Sequence, residues 1–222
     1  HHALCISIFP PVTANKISTL VDFNICGKYG AQVQAVLKKA ATLDIRTICP
    51  LHGPVLSGDL TPYLSLYDTW SCYEPESEGV LVAYASIHGG TAAAAQKFAD
   101  MLRARGAEKV VVSDLSRSDM AEVIEDAFRY PRMVLAASSY DGGVFPVMHD
   151  FLHHLQIKNF QKRRIGIIEN GSWAPCAARA MRSILDQMKD ITLAEPIVTL
   201  RSRMKQTDIP AMEALADAIL AK

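Results

Sequence analysis

Residues Gly79–Gln96 read G-V-L-V-A-Y-A-S-I-H-G-G-T-A-A-A-A-Q. The apolar run Val80–Ala85 ends abruptly in a polar turn, Ser86-Ile87-His88-Gly89-Gly90-Thr91, and an alanine-rich helix former follows at once. A buried strand feeding such a turn at a helix start makes an anion cradle. The first backbone N–H groups of a helix lack internal partners, and the helix dipole adds partial positive charge there. Gly89 and Gly90 let the backbone curl without a Cβ clash, and Ser86 and Thr91 bracket the turn with hydroxyls. No Lys or Arg lies between Tyr84 and Thr91. The turn therefore suits a phosphate held by neutral donors, as in a mononucleotide, more than a triphosphate with its metal.

Outward from this stretch the pattern repeats. Strands are expected at Val80–Ala85, Lys109–Asp114, Met133–Ser138, Arg164–Glu169 and Ile191–Leu200. Helices are expected at Thr91–Arg105, Asp119–Tyr130, Val147–Ile157, Pro175–Lys189 and Ile209–Lys222. Alternating units with near-continuous apolar strands imply α/β architecture, a parallel sheet covered on both faces. Right-handed crossovers then give a doubly wound sandwich, and about 145 residues suit the five-stranded version of order 2-1-3-4-5. Upstream the texture is less regular. It offers a helix over Tyr29–Thr42, a short strand Ile45–Cys49 and an aromatic-rich segment Tyr63–Trp70, then the polar stretch Glu74–Gly79 as the best boundary. Residues 1–73 are too few to enclose a large core and read as the tail of a domain, separate from a second domain over 79–222.

Bulk properties bound the rest. Lys+Arg and Asp+Glu each number 23, so no basic excess argues for nucleic acid. The apolar runs are strand-length, so no membrane span is expected, and no secretory leader is seen at the start. The five cysteines are scattered and form no C-x-x-C pair. That pattern fits reduced thiols and a cytoplasmic setting.

In open α/β sheets, ligands bind beyond the carboxyl ends of the strands. Three loops there are unusual. The first is Ser86–Thr91. The second is Ser138-Ser139-Tyr140-Asp141-Gly142-Gly143-Val144-Phe145-Pro146, and the third is Glu169-Asn170-Gly171-Ser172-Trp173-Ala174-Pro175. The second and third each set an aromatic ring among glycines and hydrogen-bonding groups, which suits a flat heterocycle with polar edges. Tyr140 and Trp173 can cover its faces, worth about 0.5–1.5 kcal/mol beyond area burial for a well-stacked pair. Flavin mononucleotide (FMN) has this shape: ring, ribityl chain, terminal phosphate. Ser86, Ile87, His88, Gly89, Gly90 and Thr91 would hold the phosphate. Ser138, Ser139, Tyr140, Asp141, Gly142 and Gly143 would line the ribityl chain and ring, and Asn170, Gly171, Ser172 and Trp173 would complete the ring site. No G-x-S-x-G elbow and no G-x-G-x-x-G fingerprint after the first strand is present, which disfavours a hydrolase or a nicotinamide site.

These motifs resemble those of a known family. The first loop is similar to the flavodoxin phosphate loop, S/T-x-T-G-x-T, through Ser86, Gly89 and Thr91, while His88 replaces a hydroxyl residue. The second and third loops resemble S-P-T-Y-N/D-G-G-x-F-P and E-N-G-S-W-A-P of the flavodiiron proteins (A-type flavoproteins), the third in full. Upstream, Asn24–Val33, Ile48–Pro54 and Tyr67–Trp70 resemble that family's N-I-x-G-K-Y-G-x-Q-V, I-x-P-x-H-G-P and Y-x-x-W, while residues 1–23 do not align. The resemblance implies a flavodoxin-like domain preceded by the end of a metallo-β-lactamase-like diiron domain, in which His52 stands at an iron-ligand position. The rest of the family's iron cluster, H-x-E-x-D-H with a further histidine and a bridging aspartate, is missing from this sequence. One histidine cannot hold two irons, so a diiron centre is expected in the full-length family and not in this chain alone. The resemblance further implies electron transfer through FMN and an electron donor that is a rubredoxin or a rubredoxin/NAD(P)H reductase. It implies a head-to-tail homodimer and reduction of oxygen or nitric oxide. A stand-alone flavodoxin-like carrier or an FMN-dependent quinone reductase is the alternative, and a remnant that no longer binds flavin is a third.

Other features read as ordinary structure. His149 and His153 stand four apart with His154 beside them, spacing that suits a solvated cluster without a third metal ligand. Lys162-Arg163-Arg164 reads as a solvated start to a strand, Tyr67 and Trp70 as packing residues, and Cys176 as a helix-start residue.

Overall fold

The computed structural model describes residues 27–49 and 55–221. The chain parts into two compact units between Glu76 and Ser77. In the first unit, helix α1 (Gly30–Ala40) follows a 3-10 turn, a two-residue antiparallel pair joins β1 (Thr47–Ile48) to β2 (Leu56–Ser57), and α2 (Thr61–Ser71) completes it. Helices α1 and α2 approach closely at Gly30, where an added Cβ would lie 2.3 Å from the Ser71 carbonyl oxygen. Gln34 Nε2 donates to Asp68 Oδ1 at 2.8 Å and to Ser71 Oγ at 2.9 Å. Tyr67 and Trp70 are packing residues, as expected: Trp70 is 2% exposed and their ring centroids stand 5.7 Å apart. His52 lies outside the described residues.

The second unit is a doubly wound α/β sandwich. Its elements run β3 (Val80–Ala85), α3 (Gly90–Ala104), β4 (Val110–Asp114), α4 (Met120–Arg129), β5 (Arg132–Tyr140), β6 (Gly143–Val144), α5 (Pro146–Ile157), β7 (Arg163–Asn170), α6 (Ala177–Leu185), β8 (Ile191–Leu193), β9 (Val198–Leu200) and α7 (Ile209–Leu220). The parallel path is β4-β3-β5-β7-β8. Counted along the chain, that is order 2-1-3-4-5, as the alternation implies.

Periodicity explains the layers. On β3, Val80 and Val82 face a core shared with Phe98 and Leu102 of α3 and with Leu215 and Ile219 of α7. Leu81 and Ala83 are equally buried and point the other way, as strand geometry requires. Helices α3 and α7 thus cover one face, and α4, α5 and α6 the other. Gly166 on β7 lets α7 settle close, because a Cβ there would meet Leu215 and Ile219 at 3.1 Å. Asp119 caps α4 by accepting from the Ala121 amide at 2.8 Å, and Pro146 opens α5 in the first turn, where a missing N–H costs nothing.

Three expectations are corrected. The fifth strand is not continuous over Ile191–Leu200. It pairs with β7 as two three-residue pieces, β8 and β9, on either side of Pro196, which has no N–H to donate to a ladder. The third strand runs to Tyr140, beyond Ser138, and turns back antiparallel through Asp141 (φ 48°) and Gly142 (φ 73°) into β6. Two consecutive positive φ values match the right-handed twist of a two-residue hairpin, and Asp-Gly supplies them at low strain. Arg163 is buried, not solvated, and its guanidinium donates to the carbonyls of Phe128, Gln161 and Lys162. Among the described residues no helix is long and apolar enough to cross a membrane.

Candidate functional site

The carboxyl ends of β3, β5, β7 and β9 frame a cleft of about 1140 Å³. That slightly exceeds the roughly 300–1,000 Å³ typical of small-molecule and cofactor sites. Its walls are built from residues whose polar atoms first hold the walls together.

The first wall is the turn after β3. Ser86 Oγ accepts the Gly89 amide at 3.1 Å and bends the chain, and Gly89 then takes a left-handed conformation (φ 84°) as the N-cap of α3. A Cβ on Gly89 would meet nothing within 4 Å, so the residue is chosen for its φ and leaves open space above. A Cβ on Gly90 would lie 2.4 Å from the Ser202 carbonyl oxygen, so close packing fixes glycine there. Thr91 is 1% exposed. Its hydroxyl lies 2.9 Å from Ser138 Oγ and accepts from Asn170 Nδ2 at 3.2 Å.

The second wall is the β5–β6 hairpin. Ser139 Oγ accepts the amides of Cys176 at 2.9 Å and Ala177 at 3.1 Å, satisfying the open start of α6 from a neighbouring strand. Tyr140, 49% exposed, packs edge-on against Phe145 with centroids 5.7 Å apart. Cys176 Sγ donates to the Gly143 carbonyl at 3.3 Å.

The third wall follows β7. Buried Glu169 faces away from the cleft and accepts from the Ala178 amide at 2.9 Å and from Thr199 Oγ1 at 2.8 Å. Asn170 is a strap. Its Oδ1 accepts the Ser202 amide at 2.9 Å, and its Nδ2 donates to the Ser202 carbonyl at 2.8 Å as well as to Thr91. Gly171 permits the close approach of Pro175, whose Cα would stand 2.8 Å from an added Cβ. Trp173 then projects at the rim with 87% of its surface exposed.

Of the sixteen flavin-site candidates read from the sequence, the cleft is lined by fourteen: Ile87 through Thr91, Ser138 through Gly142, and Asn170 through Trp173. Ser86 and Gly143 do not line it; they support it from behind through the contacts above. Sequence reading misses a fourth wall, the turn after β9, where Ser202 (φ 68°) and Arg203 join the cleft. It also misses Arg179 in the first turn of α6 and Ala93 on α3. The signal lay in the same strand-tip rule, applied to the residues just after Leu200. The cleft is therefore not free of cations, as the first loop alone suggests. Arg179 and Arg203 are exposed, and among the described residues neither forms an ion pair within the cleft. At the end of β3, burial and then the Asp114 carboxylate raise the Tyr84 phenol above its ordinary value, outside the cleft lining. Among the described residues no cluster of His, Cys, Asp and Glu can hold a metal ion; the His149, His153 and His154 group does not form one.

Set beside solved structures, the chain has clear counterparts. The fold is flavodoxin-like. A flavodoxin from Streptococcus pneumoniae superposes with a TM-score of 0.55 at 21% identity, over 63% of this chain and 96% of its own. Rubredoxin oxygen:oxidoreductase from Desulfovibrio gigas superposes with a TM-score of 0.88 at 17% identity, over 96% of this chain and 54% of its own. The flavodiiron protein of Giardia intestinalis gives 0.80 at 20% identity, over 90% and 50%. The chain thus spans about half the length of the flavodiiron structures it matches. No protein-family model and no curated protein matches it.

Proposed function

We propose that the second unit binds FMN and serves as the electron-transfer part of a flavodiiron-type oxygen or nitric oxide reductase. The observation that carries this reading is the convergence of three strand-tip loops, glycine-rich or aromatic, on one cleft of a 2-1-3-4-5 sheet. The residues fit the group. The turn over Gly89 offers unfilled space at a helix start, and Trp173 and Tyr140 stand exposed at the rim. Ile87 through Thr91 would hold the phosphate, and Ser138 through Gly142 with Asn170 through Trp173 would hold the ribityl chain and ring, while Ser86 and Gly143 brace the first two turns. When bound, FMN supplies one- and two-electron redox chemistry, and the protein contributes orientation and charge. The Asp141 carboxylate at the hairpin tip would oppose added negative charge nearby by Coulomb repulsion. The amides at the start of α3 would fix the phosphate without a metal.

The first unit belongs to the same proposal as the end of a metallo-β-lactamase-like domain, with His52 an iron ligand where further ligands are supplied. A rubredoxin or a rubredoxin/NAD(P)H reductase would deliver electrons, and a head-to-tail homodimer would set one subunit's flavin against its partner's irons. The name of the Desulfovibrio relative, rubredoxin oxygen:oxidoreductase, supports that donor. A second reading, a stand-alone flavodoxin-like carrier or quinone reductase, is favoured by the likeness to a whole flavodoxin. FMN titrated with purified protein should lose fluorescence at one equivalent, with iron measured on the same sample. Because the sequence lacks the other iron ligands, both readings expect flavin without iron from this chain; reduction of the bound flavin by reduced rubredoxin favours the flavodiiron reading, and direct oxidation of the reduced flavin by a quinone favours the carrier. Undiminished FMN fluorescence rejects both.

A further inference from the structure

Resting on the flavin reading, we infer that Arg203 makes the cleft select a ligand with a terminal phosphate over the same ligand without one. Three observations place it. Arg203 lines the cleft from the turn after β9. That turn is pressed onto the start of α3, since the Ser202 carbonyl occupies the space a Cβ on Gly90 would take. Asn170 clamps Ser202 by its amide and its carbonyl, so the backbone that carries Arg203 is fixed beside the first loop. The side chain itself is exposed and makes no ion pair among the described residues, so its charge is uncommitted. The other cation of the cleft, Arg179, is carried by α6, the helix whose start is held by the hairpin through Ser139 and not by the Asn170 strap.

The first loop can hold a phosphate through its amides and hydroxyls, and it contains no Lys or Arg, so a guanidinium from another strand tip adds what the loop itself lacks. A phosphate monoester carries close to two negative charges at pH 7. Helix-start amides stabilise such a charge modestly, whereas a guanidinium offers a charge-assisted fork of donors that stays protonated. The arrangement assigns phosphate recognition to two sources, amides from one strand tip and a cation from another about 110 residues later, held as neighbours by the Asn170 strap.

The test compares FMN with riboflavin, which share the ring and ribityl chain and differ in the phosphate. Dissociation constants are measured by fluorescence titration for the unaltered chain, Arg203→Ala, Arg203→Lys and Arg179→Ala, with a thermal melt for each. The expected result is that R203A weakens FMN at least tenfold and leaves riboflavin within twofold, with R203K falling between. Arg179→Ala is expected to shift FMN and riboflavin by the same factor. An R203A variant that melts like the parent and binds FMN unchanged overturns the inference. So does equal weakening of both ligands. If the unaltered chain binds neither flavin, the flavin reading falls and this inference with it, whereas tight FMN binding that is indifferent to residue 203 sinks the inference alone.

Discussion

At the scale of single residues, the site separates groups that face the cleft from groups that brace it. Trp173 is the clearest of the first kind, with 87% of its surface exposed and nothing in the fold requiring it. Truncating it to alanine should leave the melting temperature unchanged. FMN binding should weaken by about 1 kcal/mol or more, from lost stacking. An unchanged dissociation constant would reject the placement of that loop against the ring. Ser139 and Asn170 line the cleft as well, but their polar atoms are engaged in bracing its walls. From the sequence they look like ligand donors, because hydroxyl and amide residues at strand tips usually point into solvent or substrate. Their partners, the amides of Cys176 and Ala177 for one and of Ser202 for the other, lie over thirty residues away. Spacing along a chain carries no record of such pairings.

At the scale of elements, four strand tips are joined by a small set of side-chain bridges, and Asn170 is central to them. Asn170→Ala leaves the Ser202 amide and carbonyl without their partner, and because Ser202 is exposed and water can reach them the cost is roughly 0.5–1.5 kcal/mol for each bond lost. Chemical denaturation should show that loss. Asn170→Asp keeps the acceptor for the Ser202 amide and loses the two donor contacts, so it should fall between parent and alanine. Equal stability of all three proteins would show that the strap carries no weight. The elements themselves were largely legible. Apolar runs marked β3, β5 and β7, and the Asp-Gly pair at 141–142 is a recognisable hairpin signal, although as a bare loop it hid β6. Pro196 stands in the sequence inside an otherwise apolar run, and its missing N–H breaks the fifth strand in two. The fourth wall is harder to read, because Arg201-Ser202-Arg203 has neither the glycines nor the aromatic ring of the other loops.

At the scale of the molecule, every described residue that lines the cleft belongs to the unit that begins at Ser77. A protein made of that unit alone should therefore melt in one cooperative transition and bind FMN within about threefold of the whole chain. Calorimetry and the same titration check both points. A folded unit that no longer takes up FMN would show that residues before Ser77 contribute to the site. The fold class follows from composition and alternation alone. Electron donors and oligomeric state leave no such trace, because both depend on surfaces that no periodicity marks.

The clamp between Asn170 and Ser202 has a consequence in time. A polypeptide leaving the ribosome exposes the first three strand tips well before residue 202, so the nascent pocket stands open on one side throughout that interval. A chain stalled before that turn would lack both the fourth wall of the cleft and helix α7, which covers one face of the sheet together with α3.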